Sequence, residues 1–338
     1  MPELPEVEIA SRQLLAWARG RQVTAARAAK TRVIRGQSPQ RFAALAGHAL
    51  EAIERRGKWM ILLFDGGLGL LSHLGMTGKW VRRAKGQPEP KHVRAALVLE
   101  GGDVLDYTDP RLFGRLQVAQ ATALRALPSY AALGPDPLGG VDAALLHAKL
   151  QRTRRSIKEA LMDQRTLAGL GNIHVGESLH RAALHPERPA DTLTTVDSEG
   201  LARAIEASIR FALQAQDGPE PIQYVEEGGD NPFLVYARAG EPCQACGTTI
   251  ERIVQGGRST FFCGLCQPKG KRWTRAAPTR AARAQAAALK KRVAPKAPKP
   301  KVQKTQKTQK AQKTTLAKAK LPRAAPPPVR RRGRGSPR

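Results

Sequence analysis

Two groups of residues in this 338-residue chain have the types and spacing that chemistry requires. The first is N-terminal: Met1 is followed by Pro2 and Glu3, and Glu6 lies three positions on. Removal of Met1, which a small second residue permits, would leave Pro2 with a free secondary amine. Terminal amines have a pKa near ~8, so a useful fraction is neutral and nucleophilic at neutral pH. A secondary amine can form an iminium without a further proton loss from nitrogen. A plainer reading competes with this one, in which Pro5 starts a helix with Glu6 and Glu8 in its first turn. Taken alone, these residues favour the plainer reading. The second group is Cys243-x2-Cys246-x16-Cys263-x2-Cys266. Each Cys-x2-Cys turn can present two thiolates to one metal, and the spacing predicts one structural zinc ion. Two disulfides or four buried thiols are the alternative. Four protein ligands leave no open position for catalysis, so the metal's task would be to hold a hairpin, and with it Arg258, in place. That hairpin would have strands at 248–254 and 259–262 around Gln255-Gly256-Gly257.

These groups need elements to carry them. The first helix is expected to open at Pro5 and end at Gly20. From 21 to 120, short β-like runs dominate, most clearly 58–64, 68–74, 95–99 and 104–107. They suggest an antiparallel sandwich or barrel-like domain with the first helix packed on it. Residues 127–140 read as a linker. Helical patterns follow at 141–150, 156–162, 173–181 and 197–214, and then a long irregular segment at 216–229, of the kind that is often functional. The expected class is α+β and multidomain: an N-terminal β-sandwich domain (1–126), a helical domain (141–238), a zinc finger (239–268) and a tail (269–338).

Charge is placed unevenly. Of 57 Lys and Arg, 23 fall in residues 271–338, which hold no Asp or Glu, leaving 34 basic against 28 acidic residues before them. The tail has few large apolar side chains and a local repeat, Gln303-Lys304-Thr305-Gln306-Lys307-Thr308, so it is expected to be disordered. Its natural partner is a polyanion, and it reads as a non-specific DNA tether or, more plainly, a solubilising tail. A membrane span is excluded, because the longest apolar stretch, 59–76, is broken by Asp65 and several glycines. The acidic start argues against a secretory signal. The expectation is a soluble cytoplasmic, nucleoid-associated protein.

The start MPELPEVE resembles that of the formamidopyrimidine branch of the Fpg/Nei family of DNA-repair glycosylases. The likeness continues in Arg55-Arg56-Gly57-Lys58 and His73-Leu74-Gly75-Met76-Thr77-Gly78. It recurs in Tyr107-Thr108-Asp109-Pro110-Arg111-Leu112-Phe113-Gly114 and Leu133-Gly134-Pro135-Asp136-Pro137-Leu138. Ile157-Lys158, Leu161-Met162-Asp163, Gly169-Leu170-Gly171-Asn172-Ile173 and Gly240-Glu241-Pro242-Cys243 complete it, in the family's order, over about residues 1–268.

The resemblance implies a monomeric glycosylase and abasic-site lyase whose partner is double-stranded DNA containing oxidised or abasic sites. Formamidopyrimidines and 8-oxoguanine would be flipped out of the stack. Pro2 would attack C1′ and Glu3 would donate the proton; the Schiff base then acidifies C2′, and β,δ-elimination nicks the strand. Lys58 would contact phosphate near the lesion and assist elimination, and Arg258 would support phosphate binding and the second elimination. Met76, Arg111 and Phe113 would fill the gap: an adaptable filler, a donor to the orphaned cytosine and a wedge. His73, His92, Arg152, Arg154, Lys158 and Asn172 would contact DNA. Asn172 would also cap its helix and bind the lesion phosphate within a helix–two-turns–helix element.

The chain departs from the family pattern in four places. A lysine before the first helix of the element is Thr153 here, and the flanking Arg152, Arg154 and Arg155 would stand in for its charge. Arg94 stands for the second His of a His-x-His, and His174 for a usual Tyr. The run Asp217-Gly218-Pro219-Glu220-Pro221 is unlike the loop that closes over 8-oxoguanine, so formamidopyrimidines are expected to be cleaved at least as well. The competing readings are a Nei-like glycosylase for oxidised pyrimidines and a non-catalytic zinc-finger DNA-binding protein.

Overall fold

The computed structural model describes residues 2–215 and 231–270. The 216–229 segment and the basic tail from 271 lie outside the described residues. Helix α1 (Leu4–Ala18) starts one residue before Pro5, with Glu3 as its N-cap. Val7, Ala10, Leu14 and Ala18 form the stripe that it buries in the sandwich core, whereas Leu4 is buried in the helical core. The helix therefore ties the two cores together at its first turn.

Eight strands follow: β1 (Val23–Ala28), β2 (Leu50–Arg56), β3 (Trp59–Phe64), β4 (Leu68–His73), β5 (Lys79–Arg83), β6 (Val93–Leu99), β7 (Val104–Thr108) and β8 (Arg115–Gln120). They form two antiparallel four-stranded sheets, ordered β1-β6-β7-β5 and β2-β3-β4-β8, as the expected sandwich requires. The second sheet is covered on both faces, which explains why β3 is an unbroken apolar run. Met60, Leu62 and Phe64 enter the core between the sheets. Trp59, Ile61 and Leu63 pack instead with Leu124, Tyr130 and Leu133 beneath α2 (Ala121–Arg125) and α3 (Pro128–Ala131).

The segment expected to be a linker contains α3 and is bound tightly. Arg55 donates to both oxygens of Asp136 (2.5 and 3.0 Å) and to Glu8 (2.5 Å), while the Gly57 amide reaches Asp136 at 2.7 Å. Burial works to lower the Arg55 pKa, but these two carboxylates outweigh it and raise it. The helical domain contains α4 (Ala143–Leu150), α5 (Ile157–Met162), α6 (Asn172–Arg181) and α7 (Thr195–Ala215). Asp142 and Ser156 cap α4 and α5 by accepting from Leu145 N (2.9 Å) and Glu159 N (3.3 Å). Leu150, Ile157, Leu161, Val175, Leu179, Leu201 and Ile205 build the core of this domain.

The last hairpin pairs β9 (Ile250–Gln255) with β10 (Arg258–Cys263). Gln255 pairs with Arg258, so the turn is two residues and not the three expected. Gly256 and Gly257 both have positive φ (54° and 78°), which such a turn demands. Among the described residues, no helix is long and apolar enough to cross a membrane.

Candidate active site and metal centre

Pro2 is buried and Glu3 has no exposed surface. The Glu3 carboxylate accepts from three backbone amides at the start of α6: Gly171 (2.8 Å), Ile173 (2.8 Å) and His174 (3.1 Å). Its own amide donates to Glu6 at 2.8 Å, so Glu6 fixes the backbone that carries Glu3. This arrangement corrects the expected capping by Asn172. Gly171 is the N-cap residue, Asn172 is the first helical residue, and the anion at the helix N-terminus comes from Glu3. A Cβ on Gly171 would lie 2.4 Å from Glu3 Oε1 and 2.6 Å from Lys58 Nζ, so both groups crowd the same stretch of backbone. Burial lowers the Lys58 pKa, Glu3 and Glu6 oppose that shift, and Arg258 adds to it. Glu3, Lys58 and Arg258 thus come from α1, the β2–β3 turn and the hairpin to one place. Gly57 and Gly169 permit the approach, since a Cβ on Gly57 would sit 2.9 Å from the Gly169 nitrogen, and Gly169 has φ +101°.

The two expected wedge loops also meet. A Cβ on Gly75 would lie 2.5 Å from the Phe113 carbonyl carbon, and Gly75 has φ +67°. Buried Asp109 joins the loops by accepting from Thr77 Oγ1 (2.7 Å), Leu112 N (3.1 Å) and Gly114 N (2.8 Å). Met76 is half-buried and Arg111 exposed, while Phe113 is 47% exposed, which a core role would not allow. Gly75→Ala will force these backbones apart and cost about 2–3 kcal/mol of stability. Thermal melting will register the loss, and lesion cleavage in duplex DNA will fall more than cleavage of a single-stranded abasic site.

The remaining expected contacts are distributed unequally. His92 is exposed, in a left-handed conformation (φ 64°), and its carbonyl accepts from Asp109 N (3.1 Å). Arg152 and Arg154 are exposed between α4 and α5. Lys158, expected on the DNA-facing surface, is 1% exposed and bonds to Ser259 O and Thr260 Oγ1. Burial, helped by Arg258, lowers its pKa to about 8. Asn172 Nδ2 also donates to Ser259 O (3.0 Å), so both side chains hold the hairpin next to Arg258.

His73 Nδ1 accepts from Gly75 N (3.1 Å), and its ring packs on Trp59 with centroids 4.5 Å apart. Burial, Lys58 and Arg115 lower its pKa to about 4. The unfolded chain takes up this proton near ~6.5. The stabilisation from neutral His73 is therefore complete above pH ~6.5 and is lost as pH falls toward about 4. We expect a loss on the order of 2 kcal/mol after allowance for partial exposure, and a flatter pH profile of thermal stability in His73→Gln.

The four cysteine sulfurs lie within 4.8 Å of one another, with Cys243–Cys266 at 3.9 Å and Cys246–Cys263 at 3.4 Å. Disulfide sulfurs are ~2.05 Å apart, whereas tetrahedral zinc thiolates with bonds of ~2.3 Å place sulfurs roughly 3.8 Å apart. The donor set therefore fits one structural zinc ion held by Cys243, Cys246, Cys263 and Cys266. His180, which the sequence reading passed over, brings Nε2 to 3.6 Å from Cys243 Sγ and links the end of α6 to the metal centre. Arg55 and Asp136 lay in motifs quoted for resemblance without a role; Arg32, which bonds to the wedge loop, carried no sequence signal.

Comparison with known proteins agrees with this geometry. Residues 1–116 match the formamidopyrimidine-DNA glycosylase N-terminal domain, residues 133–221 its H2TH domain, and residues 240–269 the zinc finger found in Fpg and IleRS. A formamidopyrimidine-DNA glycosylase from Bacillus licheniformis is 39% identical over 278 residues, covering 80% of this chain and 100% of its own length. One from Cereibacter sphaeroides is 40% identical over 284 residues, covering 79% and 100%. The solved structure of the MutM (Fpg) protein from Thermus thermophilus is similar with a TM-score of 0.68 and 36% identity, over 80% of this chain and 100% of that one. Lactococcus lactis Fpg in complex with DNA containing N7-benzyl-Fapy-dG gives 0.72 and 32%, over 79% and 100%. With its sandwich, helical domain and four-cysteine finger in this order, the chain belongs to the formamidopyrimidine-DNA glycosylase family.

Proposed function

We propose that this glycosylase and abasic-site lyase works as a monomer on duplex DNA, releases formamidopyrimidines and 8-oxoguanine through Pro2, and then nicks the strand. The observation that carries the proposal is the buried Pro2-Glu3 start, docked against the N-terminus of α6 beside Lys58. With Met1 removed, the Pro2 nitrogen attacks C1′, the glycosidic bond breaks, and the base leaves with a proton supplied through Glu3. The C1′–O4′ bond then breaks, O4′ taking up a proton, and the resulting iminium acidifies C2′; loss of that proton expels the 3′ phosphate, and a second elimination expels the 5′ phosphate. Lys58 and Arg258 hold phosphate and assist these steps. Met76, Arg111 and Phe113 occupy the space left by the flipped nucleotide. His73, His92, Arg152, Arg154 and Asn172 border the DNA path, and zinc supplies only a cross-link for the hairpin.

Borohydride trapping on a duplex carrying formamidopyrimidine opposite cytosine tests the mechanism. The expected result is a covalent adduct on the peptide beginning at Pro2, diminished in Pro2→Gly, whose terminal amine is primary. DNA binding without an adduct, on this duplex and on an abasic one, and with Met1 shown to be absent, would leave the non-catalytic reading. The basic residues from 271 onward act as a non-specific tether. Truncation after residue 270 is expected to spare single-turnover chemistry, weaken binding to undamaged DNA and flatten its salt dependence. An unchanged salt slope would refute the tether.

A further inference from the structure

Arg32 lies outside every motif of the sequence and yet touches the wedge loop at three points. Its Nε donates to the carbonyl of Leu112 (2.9 Å) and its Nη2 to that of Arg111 (2.7 Å). Its guanidinium carbon stands 5.1 Å from the centre of the Phe113 ring, which Arg111 also approaches, at 5.2 Å. The half-exposed ring is thus held by two cations and not by a core. Leu112, between the two accepting carbonyls, has φ +59°, a conformation that an L side chain adopts at a cost. The turn is not in its own preferred shape; Asp109 holds its amides from one side and Arg32 its carbonyls from the other. The planar fork of Arg32 suits two successive carbonyls in a way that an ammonium does not. Its base is firm, because Leu116 N donates to Val33 O (2.8 Å) and Arg35 N to Leu116 O (3.1 Å), which pins this segment to the start of β8.

We propose that Arg32 is a positioning residue for base extrusion: it holds the Arg111–Leu112–Phe113 turn in its exposed shape and keeps a cation against Phe113 when Arg111 leaves the ring for the orphaned base. The proposal rests on the reading of Arg111 and Phe113 as the wedge. It separates steps that need a gap to be filled from those that do not. A single-stranded abasic site has no partner base to lose, so the wedge is not needed there.

The test is Arg32→Met on the full chain, with Arg32→Lys and Phe113→Ala alongside. Single-turnover base release from the formamidopyrimidine:cytosine duplex is expected to fall about tenfold, less than the full worth of the two charge-assisted hydrogen bonds because Asp109 still holds the turn. The fluorescence rise of 2-aminopurine placed beside the lesion, which reports unstacking, will fall in parallel. Nicking of a single-stranded abasic site will stay unchanged, the melting temperature will fall slightly with the two lost hydrogen bonds, and Arg32→Lys will not restore the rate. Equal losses on both substrates would overturn the proposal. So would a drop of about 0.9 in the salt slope of binding, because Arg32 would then be an ordinary phosphate contact. If Phe113→Ala shows the duplex-selective loss and Arg32→Met does not, only the role of Arg32 fails. If Phe113→Ala shows none, the wedge reading itself fails.

Discussion

Glu3→Gln will slow base release by about 10²- to 10⁴-fold, the range for removal of a positioned proton-transfer group. Glutamine keeps the shape of the side chain but replaces one accepting oxygen with a donor. Both Glu3 oxygens already accept from α6 amides, so the new NH2 must face an N–H donor. An unsatisfied buried amide costs about 1–3 kcal/mol, and the melting temperature will drop accordingly. Nicking of a preformed abasic site will fall less, because no base remains to be released. Comparing single-turnover rates on the two substrates separates proton donation from mere positioning. Base release within about twofold of the parent would remove Glu3 from the chemistry.

Zinc removal will have the second large effect. The hairpin has a small core of Val235, Cys243, Ile250 and Cys263, two of which are themselves metal ligands. Metal binding in such modules supplies folding free energy directly. Without it, the hairpin that carries Arg258 and sets Ser259 against Lys158 and Asn172 loses its cross-link. Chelation or Cys246→Ser should weaken duplex binding about a hundredfold, equivalent to losing two charge-assisted contacts of about 1.5 kcal/mol each. The helical and sandwich cores do not depend on the metal, so far-UV circular dichroism will change little. Added Zn2+ will restore the chelated protein but not the variant. Metal-free protein with undiminished affinity would show that the hairpin takes no part in binding.

The strands that stood out in the sequence are β3, β4, β6 and β7, which occupy the middle of the two sheets. Those that did not are β1, β2, β5 and β8, the four edges. The reason is burial: β3 packs on both faces and is continuously apolar, whereas β1 and β2 are largely open to solvent and β2 is rich in charge. The segment expected to be a linker follows a related logic. Its prolines and glycines mark irregular backbone, but only the fold shows Arg55 clamping Asp136 and making the segment part of the structure.

By itself the sequence determined the parts that rest on local spacing and residue chemistry. The Cys-x2-Cys pairs specify a metal centre because two ligands must come from one turn. The Pro2-Glu3 start reads by itself as a helix start, and took its chemical reading only from the motifs that follow it in the same order as in the family. Only the tertiary structure decided which partner each group finds. It gave the α6 N-terminus to Glu3 and not to Asn172, and it turned Lys158 inward to the hairpin. It also brought Arg32 to the carbonyls of Arg111 and Leu112, 79 and 80 residues away in the chain. Such pairings depend on long-range packing between sheets and domains, and a hydrogen bond between distant residues leaves no periodicity or spacing from which it can be read.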